Sequence, residues 1–266
     1  VFIRTQVLGL IFLDKTMTTA VFVVQPVHID YPLFRHRLTQ LHRLVKDIYI
    51  VFSDAQFLHN YQKFIVNSLP FVHFVSPMKT EPDWRDDAIR SILTRSIEAD
   101  RILFLEQDFL FTDQFMPCIL SAEFNDYDFI FYKEGDRYHP AFCLVRYDLI
   151  VRTDCNFAAK PPAYDHFGSF FKQVLNLSKY SLDIEQVGFK KQQDFCHLGG
   201  LTQNYHCLDN NQPLYKPNEF YTYNYLSINV PVIQDKHWYD RMGRINTDVS
   251  EKEFVPWMKQ IFADTL

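Results

Sequence analysis

The chain has 266 residues, is 47% hydrophobic and 17% aromatic, and carries a formal charge of -5. That is enough apolar material for one large domain or two small ones, and it excludes wholesale disorder. The acidic balance excludes the usual nucleic-acid binder, which carries a basic excess.

Residues 1–16 read as a leader, a tag remnant or a short edge segment; they lack a basic start and a small-residue cleavage pattern. Val7 to Leu13 is apolar but far too short to cross a bilayer, so no membrane span is expected. Ala20 to Val24 reads as a strand closed by Gln25-Pro26. Leu33, Leu38, Leu41, Leu44 and Val45 recur at roughly helical spacing. Asp47 to Phe52 is a second strand that ends at Ser53-Asp54. Phe57 to Leu69 reads as a helix stopped by Pro70, and Phe71 to Val75 as a third strand. Asp83 can cap the next helix, with Asp86 and Asp87 in its first turn, where the helix dipole favours negative charge. Ile89, Ile92, Leu93 and Ile97 form its apolar stripe.

The fourth strand, Ile102 to Leu105, runs into Glu106 and Asp108. Acids one residue apart on an extended chain point the same way. Left unpaired they repel, and a divalent cation removes that conflict because hard cations take carboxylate oxygens. The alternative is a strand whose polar end simply meets solvent. Further strands are expected over 128–132 and 141–145, and a helix over 167–175.

Strands alternating with helices predict an α/β fold with a mostly parallel sheet covered on both faces. Such sheets bind ligands at the carboxyl ends of their strands. Gln25, Asp54, Glu106 and Asp108 all fall at that edge. No GxGxxG or GxxxxGK[ST] occurs, which argues against dinucleotide dehydrogenases and P-loop kinases. Five cysteines, an odd number without CxxC, fit a reduced, cytoplasmic protein, with peripheral contact to a membrane left open. Cys196-His197 and His206-Cys207 lack zinc spacing, so zinc is disfavoured.

With these pieces in order, residues 20 to 200 resemble a nucleotide-sugar glycosyltransferase of the GT-A (Rossmann-like) fold, most like family 2. Four places carry the resemblance: Gln25-Pro26, Ser53-Asp54, Glu106-Gln107-Asp108 at the DxD position, and His197-Leu198-Gly199-Gly200 as a late histidine-glycine element. Two features depart from the family pattern. Glu106 stands for the first Asp, and the acceptor-side Glu-Asp pair appears only as Tyr164-Asp165-His166.

The resemblance implies one domain over 17–266, with a nucleotide-binding half over about 17–115 and an acceptor-binding half over about 116–266. It implies a UDP- or GDP-sugar donor, a carbohydrate or glycoconjugate acceptor, and Mn²⁺ or Mg²⁺ held by Glu106, Asp108 and His197, with His237 the competing late ligand. Gln25, Asp54, Arg85, Asp87 and Glu106 would line the donor pocket, Asp54 against the nucleoside. Asp165 would be the base of an inverting transfer; the other reading of Asp165 is a helix N-cap. Tyr215, Phe220, Tyr221, Tyr223, Tyr225, Trp238 and Tyr239 either shape an acceptor site or are ordinary packing. Lys236, Arg241 and Arg244 form either a lid over the diphosphate or a solvated basic segment. The rivals are a retaining glycosyltransferase, a nucleotidyltransferase on a related sheet, and a sugar- or protein-binding module without catalysis.

Overall fold

The computed structural model of the chain describes residues 18–23, 29–30, 40–41, 44–51, 72–75, 84–93, 97–106, 109–158, 167–191, 193–197, 207, 212–213 and 244–245. Residues 1–16 and the helix expected over 57–69 lie outside them.

Seven strands form the main sheet: β1 (Thr18–Val23), β3 (Asp47–Val51), β4 (Val72–Val75), β5 (Arg101–Glu106), β7 (Phe129–Glu134), β8 (Arg137–Arg146) and β9 (Ser181–Asp183). Their order is β4-β3-β1-β5-β8-β7-β9. Pairings are parallel except those of β8, which runs against both β5 and β7. Short strands complete the set: β2 (Ile29–Asp30) pairs with β11 (Arg244–Ile245), and β6 (Phe109–Phe111) pairs with β10 (Phe195–His197).

All six residues of β5 are buried. An unbroken apolar run suits a central strand covered on both faces, where alternation would bury polar groups without partners. Alternate residues then serve two cores. Leu103 and Leu105 join Ile48, Ile50, Ile130 and Leu144 on one face. Ile102 and Phe104 join Tyr49, Val51, Phe129 and Val145 on the other. The first core is closed by α2 (Phe115–Ile119), which buries Phe115, Met116 and Ile119. The second is closed by α1 (Trp84–Leu93), α3 (Tyr147–Ile150) and α4 (Gly168–Leu177). This is an α/β fold with a mixed, mostly parallel sheet and helices on both faces.

One sequence expectation is corrected. Ile97 is buried but lies past the end of α1 at Leu93, so it packs beside the helix stripe rather than on it. Strand β5 is described as far as Glu106 and β6 from Phe109; Asp108, between them, lies outside the described residues. The N-cap of α4 is Phe167, in the left-handed region at φ 66°, without a side-chain cap bond. Phe167 is anchored in the core at 1% exposure, and Asp165 lies outside the described residues.

Asp128 ties the start of β7 to the start of β9. Its Oδ2 accepts the backbone N–H groups of Lys179 at 2.6 Å and Tyr180 at 3.1 Å, and Arg146 lies 3.6 Å from its Oδ1. Asp128→Ala removes the carboxylate that accepts from those two N–H groups. The expected loss is about 1–3 kcal/mol in a urea titration, with Asp128→Asn recovering part of it. An unchanged midpoint for the alanine variant would remove this tie from the account.

Candidate functional site

The parallel strands end in one row. Val23 of β1 pairs with Val51 of β3 and with Glu106 of β5, and Val51 pairs with Val75 of β4. Glu106 is thus the polar terminus of a row of valines at the carboxyl edge of the sheet. Its side chain is 8% exposed.

β10 brings a second group to that point. Its antiparallel register sets His197 opposite Phe109, three residues after Glu106. Phe195, two residues before His197, fixes the strand by packing on Phe109, Phe115 and Tyr132, with ring centroids 5.6, 5.7 and 5.6 Å away. Burying such a ring is worth about 1.5–3 kcal/mol, enough to hold a three-residue strand in place. His197 Nε2 then lies 3.9 Å from Glu106 Oε2, and its side chain is 5% exposed.

The hairpin of β7 and β8 supplies the rest. Gly135 takes φ 62° in its two-residue loop, a conformation that glycine adopts without strain. Pro140 lies within β8 and has no N–H for the ladder, and the register shifts after Phe131. Beyond the shift His139 faces Tyr132. Glu106, His139 and His197 each offer a ligand atom, all within 4.8 Å of one another. Glu134 closes the group. Its Oε2 lies 3.5 Å from His197 Nδ1 and 3.7 Å from His139 Nε2, and its Oε1 lies 3.6 Å from Lys191 Nζ. The His197 ring foremost, with His139 and Lys191, holds the Glu134 carboxyl down to about 2 against the opposing effect of its partial burial. Burial pushes the Tyr132 phenol above its ordinary value, and Lys191 draws it back.

This donor set fits a divalent cation. Its one buried carboxylate and two imidazoles offer mixed oxygen and nitrogen donors.

Of the residues singled out from the sequence, Glu106 and His197 are brought together. Asp87 is half-buried on α1 and stands outside this cluster. Arg85 lies in the first turn of α1, and Arg244 on β11 opposite Asp30. Gln25, Asp54, Asp108, Asp165, Gly199, Gly200, Lys236, His237, Arg241 and the aromatic residues from Tyr215 to Tyr239 lie outside the described residues. His139 and Glu134 were missed. The signal was present in Glu134-Gly135-Asp136-Arg137: a Gly-Asp hairpin loop sets Tyr132 opposite His139, and alternation puts Glu134 on their face.

No protein-family model matches the chain, and no curated protein matches it significantly. Solved structures show distant likenesses. The mannosyltransferase PcManGT from Pyrobaculum calidifontis, in complex with GDP-Man and Mn²⁺, is 12% identical, with 61% of this chain and 54% of that chain covered and a TM-score of 0.43. The glycosyltransferase GlyE of Streptococcus pneumoniae TIGR4 is 14% identical, with 92% of this chain and 60% of that chain covered and a TM-score of 0.41. The inositol-1-phosphate CTP transferase from T. maritima is 9% identical, with 63% of this chain and 86% of that chain covered and a TM-score of 0.40. At these values the likenesses bear on no activity and on no residue's role. Among the described residues, no helix is long and apolar enough to cross a membrane, and all five cysteines are free.

Proposed function

We propose that the chain is a metal-dependent glycosyltransferase that moves a sugar from a UDP- or GDP-sugar to a carbohydrate or glycoconjugate acceptor. The observation that carries this reading is the meeting of Glu106 and His197, 3.9 Å apart, at the carboxyl edge of the parallel strands. A buried carboxylate beside an imidazole at that edge suits a site for a cation and a phosphate-bearing ligand. The sequence resemblance supports the same reading.

Glu106, His197 and Asp108 are the ligands in this proposal. When bound, Mn²⁺ or Mg²⁺ neutralises charge on the departing diphosphate. Asp54 accepts hydrogen bonds from the nucleoside, and Gln25, Arg85 and Asp87 line the donor pocket. Asp165 takes the proton of the acceptor hydroxyl as its oxygen forms the new bond to the sugar's anomeric carbon. The bond from that carbon to the diphosphate oxygen breaks, and the electron pair leaves with the diphosphate. The product is inverted at the anomeric centre.

The test is a thermal-shift series with UDP and GDP, each with and without Mn²⁺, followed by hydrolysis of a panel of nucleotide-sugars. Stabilisation that needs nucleotide and metal together is expected, because a ligand that binds the folded state raises its stability. Sugar release from a donor should accompany it. No response to either nucleotide would reject the transferase in favour of a binding module.

A further inference from the structure

Three donors converge on the proposed cation site, yet ring tautomers set His139 apart from His197. The backbone N–H of Ala141 donates to His139 Nδ1 at 3.1 Å. That nitrogen is therefore an acceptor, and a neutral His139 ring carries its hydrogen on Nε2. A ring that ligates through Nε2 needs the opposite arrangement, with hydrogen on Nδ1. Two N–H groups would then face each other at Ala141. His139 Nε2 instead points its hydrogen towards Glu134 Oε2, 3.7 Å away.

The same carboxylate oxygen faces His197 Nδ1 at 3.5 Å, while His197 Nε2 faces Glu106. A metal-binding imidazole presents a lone pair on one nitrogen and keeps hydrogen on the other, which then needs an acceptor. Glu134 is that acceptor by position. Both of its oxygens are engaged, Oε2 by the two rings and Oε1 by Lys191 at 3.6 Å. At 3.5 to 3.7 Å these are ion-pair distances, longer than hydrogen bonds, and a movement of roughly half an ångström brings either ring N–H within bonding range. The hairpin fixes the arrangement: Tyr132 opposes His139, and Glu134 lies two residues along β7 on the same face.

We infer that Glu134 is the positioning residue of this site: it holds His197 with Nε2 turned to the cation and takes His139 as a hydrogen-bond donor, so that His139 is not a ligand. This rests on the metal reading given above.

The test is calorimetric titration of the full chain with Mn²⁺ alone, without nucleotide. Glu106→Gln should abolish binding. Glu134→Ala should weaken it about 10- to 100-fold, the usual consequence of losing an orienting partner. Glu134→Gln keeps an oxygen acceptor for His197 Nδ1–H and should restore affinity to within about threefold, a rescue that a loss of charge alone would not show. His139→Gln should weaken binding less than about tenfold. Should Glu134→Ala lose its native circular dichroism, Glu134→Asn takes its place, since it withdraws the acceptor by one methylene. Wild-type affinity in Glu134→Ala or Glu134→Asn, or a loss in His139→Gln as complete as in Glu106→Gln, would overturn the inference and leave the metal site standing. Undiminished binding in Glu106→Gln, or none in the wild type, would instead overturn the metal reading itself.

Discussion

Glu106→Gln is expected to separate folding from function. The two side chains have nearly the same volume, and an amide is cheaper to bury than a carboxylate. The variant should therefore unfold at or above the wild-type temperature when no metal is present. Metal-linked stabilisation should vanish. At a Mn²⁺ concentration 100 times its dissociation constant, the wild type gains about 2.7 kcal/mol. For a chain of this size that corresponds to a rise of roughly 5–10 °C in Tm. The variant should show no rise, and donor hydrolysis should fall by at least about 100-fold, the scale of losing several kcal/mol of electrostatic stabilisation. Scanning calorimetry with and without Mn²⁺, and a nucleotide-release assay, read both effects. A variant with a full metal-dependent rise would show that Glu106 only ends a strand.

Phe104→Ala is expected to cost the most stability. Phe104 is fully buried on β5. Its ring meets Phe157 at 5.8 Å, Phe167 at 5.4 Å and Phe170 at 5.8 Å between centroids. Truncation to alanine removes that apolar area and leaves a cavity walled by three rings, at a cost of about 3–5 kcal/mol. Domains are stable by only about 5–15 kcal/mol in all, so the variant approaches the unfolding threshold. Phe104→Leu, which keeps most of the volume, should cost less than about half as much. Urea midpoints of the three proteins measure the difference. The effect should reach the site, because Phe104 and Glu106 share a strand and a face. Cys143, opposite Phe104 in the sheet, reports the same packing: complete burial raises its thiol well above the ordinary range.

The two variants divide the work of β5. Its apolar residues set the strand between two cores, and its last residue emerges from them as a carboxylate at a sheet edge. The rigidity of the strand is what makes the position of Glu106 reproducible. Phe195 and His197 repeat the device on β10, with one side chain packed and the next one polar at the strand end. Sites held in this way on regular elements keep their geometry better than sites on loops.

Residues 102–105, an apolar run ending in an acid, were enough to announce a central strand with a polar end. The stripe of Ile89, Ile92 and Leu93 announced a helix, and the alternation of strands and helices announced the α/β class. These features are local, because the hydrophobic period of a segment is written in its own residues. The meeting of Glu106 with His197 was expected only through a family likeness. Glu134 and His139 were not expected at all, although their hairpin was readable. Sequence by itself determined that residues 102–105 form a buried strand running into acids. Only the tertiary structure decided that Glu134 and His139, 28 and 33 residues after Glu106, and His197, 91 residues after it, reach the same few ångströms. That outcome depends on β8 running antiparallel beside β5, on the register shift beside Pro140, and on Phe195 anchoring β10. Each of these is a long-range packing solution that no local pattern encodes.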